Sequence, residues 1–215
     1  MDIKYLGHSS FLLKGKKAVL VTDPYSSSAV GLKFPRNIEA DIVSISHEHD
    51  DHNDTKELAG DPFVIRGPGE YEVKGVTVIG ISSFHDDEKG NSRGKNTIYK
   101  IMIDGLNILH LGDLGHVLNA NIIDELDGID ILMVPIGGVY TIDSKTALQI
   151  ISDINPSIII PMHFARPELK KDVFGKLEKL SNFIKESGKT VVKIQGRLNI
   201  TRDKLPEEIQ IMVFE

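Results

Sequence analysis

Hydrophobic and polar positions follow two different periods along this chain. In the first half, short aliphatic and β-branched runs (IKYLG, SFLLK, AVLVTD, DIVSIS, PFVIRG and GVTVIGI) are separated by polar or turn-forming residues. That pattern predicts short strands. NTIYKIMIDGLNILHLGD predicts a hairpin that turns at Asp104-Gly105, because this dipeptide tolerates the positive φ angles of a two-residue turn. GIDILMVPIGG and PSIIIPMHF are nearly continuous apolar runs, as strands buried on both faces require. TVVKIQGRLNI and IQIMVFE predict strands at the C-terminal end.

The period changes to 3.6 in DSKTALQIISDIN, where Ala147, Leu148, Ile151 and Ile154 share one face. Asp143 or Ser144 can cap its start, and Pro156 blocks its continuation. A second helical stretch, PELKKDVFGKLEKLSNFIKESG, repeats Val173, Leu177, Leu180 and Ile184 at helical spacing and stops at Gly188. Shorter helices are expected after Asn121 and after the cap-like Asn53-Asp54 pair. HDDEKGNSRGKN, the longest polar segment, reads as an irregular loop. With no linker and no repeat, residues 1–215 are expected to form a single α/β domain, sheet inside and helices outside.

Composition narrows the chemistry. The 215 residues are 40% hydrophobic and 26% charged, as in ordinary globular proteins. A net charge of −6 argues against a nucleic-acid backbone as partner. The absence of cysteine excludes disulfides, thiolate ligands and a cysteine nucleophile, so any metal must be held by His and carboxylates. The N-terminal MDIKYLGHSSFLLKGKK lacks the features of a secretion signal, and no apolar run approaches the roughly 20 residues that cross a bilayer. The expectation is a cytoplasmic protein with no membrane contact.

The most chemically loaded stretch is DIVSISHEHDDHND, in which a strand-like run ends in three histidines and several carboxylates. His47 and His49 lie two apart, so extended backbone points both to one side. Asp51 and His52 follow after the chain turns and can address a second point nearby. So many imidazoles and carboxylates in one place require a cation to neutralise them.

HEHDDH resembles the signature of the metallo-β-lactamase fold superfamily, whose members are binuclear metal hydrolases. Other stretches match in the same order: Asp23 in AVLVTDP, His85 in VIGISSFHDD, Asp113 in ILHLGDLGH and His163 in SIIIPMHF. The resemblance implies a four-layer αβ/βα sandwich. It implies one metal on His47, His49 and His85, a second on Asp51, His52 and His163, and Asp113 between them. This all-N/O set suits two divalent ions, zinc first, with manganese, iron or cobalt as alternatives. In diiron relatives the second motif histidine is often Glu; here it is His49, which favours zinc.

Asp23 is expected to orient a ligand histidine rather than bind metal. The GHSSF start is similar to a subgroup of small metal-dependent hydrolases and places His8 near the site. His116 is expected at its rim, and His8 or His116 would assist Asp51 in catalysis. His110 is expected to be structural. PIGGVYTIDSKTA also resembles this subgroup, with Gly137 and Gly138 allowing close backbone approach and Tyr140 reaching over the metals. The implied activity is hydrolysis of a small-molecule lactone, ester or phosphodiester. A nuclease or an inactive scaffold of the same fold is the alternative, and a homo-oligomer is possible.

Overall fold

The computed structural model describes residues 1–215. One sheet has six strands, in the order Leu198–Asn199, Asp2–Gly7, Ser10–Lys14, Val19–Thr22, Ile42–Ile45 and Phe63–Arg66. The other has eight, in the order Thr190–Ile194, Gln210–Phe214, Ile158–Met162, Ile131–Pro135, Leu106–His110, Lys95–Ile103, Val76–Phe84 and Gly69–Val73. Ile38–Glu39 and Leu58–Ala59 form a small separate ladder.

Alternation along the strands sorts side chains between layers. Ile131, Met133, Ile158, Ile160 and Met162 face the other sheet, joining Ile3, Phe11, Leu13, Leu20, Ile42 and Ile65 in one core. Leu132, Val134 and Ile159 point the opposite way and are covered by Ala147, Ile150 and Ile151 of the helix Ser144–Ile154 and by Phe183. On the far side of the six-stranded sheet, Leu6 and Val21 are covered by Tyr25, Val30, Phe34, Leu169 and Phe174. The result is the expected αβ/βα sandwich.

The hairpin turns where expected. Asp104 and Gly105 have φ of 52° and 78°, and Ile103 pairs with Leu106, the backbone of a two-residue type I′ turn. Asp143 caps the helix Ser144–Ile154 by accepting from the Thr146 amide. Ile150 is buried on its inner face and Leu148 only partly so. The short helix begins at Ala120, one residue before Asn121, with Asn119 as its cap. The segment after Asp54 makes only a 3₁₀ turn, Thr55–Glu57.

The second long helix is broken. It forms as Lys171–Phe174 and Leu180–Ser187. Between them the Glu178 amide donates to Gly137 O at 2.9 Å, its carbonyl accepts from the Ala165 amide at 2.8 Å, and its carboxylate accepts from Ser144 Oγ at 2.8 Å. These bonds to distant loops replace the helical ones. The break also leaves Val173 exposed, against the inward position that its spacing predicts. No helix is long and apolar enough to cross a membrane.

Parallel neighbours end at the same edge of a sheet, and this positions the chemistry. Val19–Thr22 and Ile42–Ile45 run parallel, as do Leu106–His110, Ile131–Pro135 and Ile158–Met162. Asp23, the loop that starts at Ser46, Asp113 and His163 therefore all follow the C-terminal ends of such strands, where α/β folds place ligands.

Candidate metal centre

Asp23 is fully buried and organises one side of the site. Its Oδ1 accepts from the Ser46 amide at 2.8 Å, and its Oδ2 accepts from Ser46 Oγ at 2.6 Å and from His52 Nδ1–H at 2.8 Å. His52 is thereby fixed with Nε2 turned inward. The single Ser46 hydroxyl proton is committed to Asp23, so its oxygen, 2.9 Å from His47 Nδ1, accepts from that ring. His47 Nε2 is left as a bare lone pair.

Two donor groups result. The donor atoms of His47, His49 and His85 all lie within 4.8 Å of one another, and so do those of His8, Asp51, His52 and His163. Asp113 stands between the groups. Its Oδ2 is 3.2 Å from His52 Nε2, 3.4 Å from His85 Nε2 and 3.1 Å from His163 Nε2. The Asp113 amide donates to Asn96 Oδ1 at 3.0 Å. A side chain at the preceding Gly112, φ +56°, would meet that same oxygen at 2.4 Å, so the turn into Asp113 requires glycine. His8, Asp23 and His163 have positive φ angles of 54°, 39° and 52°. Non-glycine residues adopt such angles at a cost of about 1–3 kcal/mol each, and mostly where function fixes them.

The donor set fits cations. Among the buried side-chain N and O atoms without a hydrogen-bond partner are His47 Nε2, His52 Nε2 and Asp113 Oδ1, from three residues whose donor atoms lie within 4.8 Å of one another. An orphaned buried polar atom costs about 1–3 kcal/mol, and a shared divalent ion would satisfy several at once. Charge is arranged to the same end. Burial, reinforced by His163, pushes His8 down to about 4, and burial with His52 pushes His47 down to about 3. Both rings are neutral, ligand-ready imidazoles at pH 7. Burial opposes charge on Asp113, but His163 and His52 outweigh it and hold the carboxyl well below its usual range. Burial likewise opposes charge on His52, and Asp113 and Asp51 outweigh it, raising His52 well above the ordinary value. A proton on His52 then stands among three carboxylates where a metal cation would serve.

Several expectations change. His8 is buried and does not line the cleft; its Nε2 lies 3.1 Å from Asp51 Oδ2, and its ring packs on His163 with centroids 4.3 Å apart. It contacts Asp51 and His163 from the buried side of the site. His116 is not among the residues that line the cleft. Its Nε2 accepts from the Phe84 amide at 3.1 Å and its Nδ1 donates to Val117 O at 2.8 Å, so both nitrogens are used in holding two loops together. His110 is structural, as expected, with Nε2 on Ser9 O at 2.8 Å. Tyr140 lines the cleft, but its hydroxyl donates to Val173 O at 2.8 Å, leaving the ring face to the site. Gly137 backs His163 so closely that a side chain there would meet His163 O at 2.3 Å.

The cleft over the donors has a volume of about 420 Å³. Beside Asp51, Asp113 and the histidines it is walled by Arg93, Lys170, Tyr140, Val173 and Phe174. Arg93 and Lys170 were not legible as site residues; Arg93 sits in the polar loop, and only the folded loop shows why. Asp86 Oδ1 accepts from the Glu88 and Gly90 amides at 2.9 and 2.7 Å, and Oδ2 from the Ser92 and Arg93 amides at 3.0 and 2.6 Å. One carboxylate thus winds the loop around itself and delivers Arg93 to the cleft. Asp86→Ala is expected to speed hydrogen exchange of the 88–93 amides by about tenfold or more while leaving the strands protected. Exchange unchanged in that loop would show that Asp86 does not hold it.

Residues 2–163 match the model of the family described as Beta-lactamase superfamily domain. The chain is 29% identical to a UPF0173 metal-dependent hydrolase of Thermococcus onnurineus, over 81% of this chain and 92% of that one. It is 30% identical to another from Carboxydothermus hydrogenoformans, over 76% and 84%. A solved structure from Thermotoga maritima, named for Zn-dependent hydrolysis and the metallo-beta-lactamase superfamily, is similar with a TM-score of 0.82 and 33% identity, covering 99% of this chain and 97% of that one. A metallo hydrolase from Ignicoccus hospitalis shares the fold, with a TM-score of 0.64 at 21% identity over 87% and 90%.

Proposed function

The chain belongs to the β-lactamase superfamily and is a metal-dependent hydrolase, and from that premise we propose that it holds two divalent ions, zinc first, and hydrolyses a small lactone, ester or phosphodiester. The observation that carries this reading is the pair of donor groups meeting at Asp113. His47, His49 and His85 would hold one ion. Asp51, His52 and His163 would hold the other, with Asp113 between. Bound there, the ions would supply Lewis acidity and bring the pKa of water toward neutrality.

The chain's own residues do the rest. Asp51 lines the cleft with one-fifth of its side chain exposed, and His8 and His52 keep its carboxylate turned toward the donors. Burial raises its pKa, but His52 and His8 outweigh that and hold it far below the usual carboxylate range. Asp51 is therefore ionised at rest and accepts the hydrogen bond of the attacking water, orienting it; the proton passes to this weak base only as the bond to substrate forms and makes the water O–H strongly acidic. Asp23 and Ser46 fix the rings of His52 and His47 from behind. The cleft volume falls in the range typical of small-molecule pockets, which supports a small substrate in preference to a nucleic acid. We place this activity in the cytoplasm.

Elemental analysis tests the metal assignment. Wild type should carry two divalent ions per chain, and His49→Ala, which changes an exposed residue at the cleft, should lose about one. Equal content in both would remove His49 from the site, and one ion or none in wild type would end the binuclear reading. A panel of lactones, thioesters, phosphodiesters and short RNA, run with zinc and with manganese, then assigns the substrate class. Turnover confined to RNA would replace the small-molecule reading.

A further inference from the structure

The cleft holds two cations that the hydrolytic reading does not use. Arg93 and Lys170 both line it, and neither side chain has a hydrogen bond or a carboxylate within ion-pair distance. Most basic side chains of this chain lack an ion pair; what sets these two apart is their place in the wall of the donor cleft. The cleft's own carboxylates do not answer them, since Asp51 and Asp113 are engaged by His8, His52, His85 and His163.

Arg93 is also held in place. Its guanidinium lies 4.8 Å over the Tyr140 ring, and Tyr140 is pinned through its hydroxyl to Val173 O. A cation stacked on an aromatic face keeps its in-plane N–H donors free. Behind it, four backbone bonds to Asp86 fix the loop that carries Arg93. Its forked donors are preorganised for a planar or tetrahedral oxyanion. Arg93 and His49 also border an adjoining polar groove of about 570 Å³ that contains Ser82, Asn96 and Thr97. A substrate gripped by Arg93 therefore has room beyond the reacting bond.

We propose that Arg93 and Lys170 form an oxyanion subsite, so that the substrate carries a phosphate or carboxylate group in addition to the bond that is hydrolysed. This rests on the metal-dependent hydrolase reading for the location of that bond, but the subsite itself consists of protein cations. Both residues are specificity determinants that bind the charged group and take no part in bond cleavage.

Calorimetric titration of the metal-loaded protein with inorganic phosphate, and in a second arm with acetate, tests it. Arg93→Ala should weaken phosphate binding by about 10- to 100-fold, the usual loss for a charge-assisted bond. Lys170→Ala should weaken it by less, and Arg93→Lys should recover part of the loss. Tighter phosphate than acetate would identify the phosphate form; the reverse would identify the carboxylate form. No binding of either anion to wild type, or equal affinity in wild type and Arg93→Ala, would overturn the subsite, the latter because the metals alone would then hold the anion. Metal content measured on the same samples keeps the two readings apart. A chain without metal would end the hydrolytic reading while the effect of Arg93→Ala on anion binding still stood or fell by itself.

Discussion

Asp51→Asn is expected to lower kcat/KM by about 10²–10⁴-fold in metal-loaded protein while leaving the fold intact. That range is typical for the loss of one positioned acid–base group, and weaker metal binding by the amide would add to it. The fold should survive because Asp51 is partly exposed and its carboxylate is paired only with His8, at 3.1 Å, and His52, at 3.5 Å, through Oδ2. A carboxamide of nearly the same shape still meets the His8 ring, but it cannot receive the proton of the attacking water. The comparison requires both proteins saturated with zinc or manganese, so that occupancy is not mistaken for chemistry. Equal kcat/KM values would take Asp51 out of the mechanism.

Asp23→Ala should damage the site from behind, without touching the cleft. The change strips the partner from His52 Nδ1, the Ser46 amide and the Ser46 hydroxyl together. Loss of a carboxylate that orients a ligand histidine typically costs 10–100-fold in metal affinity, so chelator competition should show a weakening of about that size. In metal-free protein the same change should lower unfolding stability by about 3 kcal/mol or more, as expected when one partner of a buried ionic pair is removed. The pH dependence has a definite sign. Burial raises the Asp23 pKa, but bonds and charges from His52, with His110 and His47, outweigh it and leave the carboxyl below its ordinary value. A depressed pKa stabilises the fold above the unfolded-state value of about 3.9 and loses that contribution as pH falls through the folded one. The gap between wild type and Asp23→Ala should therefore be full at neutrality and narrow below about pH 4. Unchanged metal affinity in the variant would show that His52 keeps its orientation without Asp23.

Much of the sandwich was readable because its strands announce themselves locally. The apolar runs at 131–135 and 158–162 are buried on both faces, and Asp104-Gly105 turns with both φ angles positive. Asp143 caps the helix that its position predicts. His47, His49, Asp51 and His52 could be grouped because four donors within six residues leave the backbone little freedom to scatter them. The second helix failed for a nonlocal reason. Its period continues through 175–179, but Glu178 bonds to Gly137, Ala165 and Ser144, and those bonds outweigh the local helical preference.

The sequence by itself determined the strand and turn pattern, the one isolated long helix and the chemical identity of the donor atoms, because each depends on residues close together in the chain. Tertiary structure decided which polar groups are satisfied and which are left over. His116, a candidate acid or base by its position near Asp113, is consumed by the Phe84 amide 32 residues away and by the Val117 carbonyl. His8 reaches Asp51 across 43 residues and is sealed from the cleft. Arg93 and Lys170, unremarkable as letters in polar stretches, become the unanswered charges of the site. A side chain's donors and acceptors are local properties, but their availability depends on every partner that folding brings within about 3 Å.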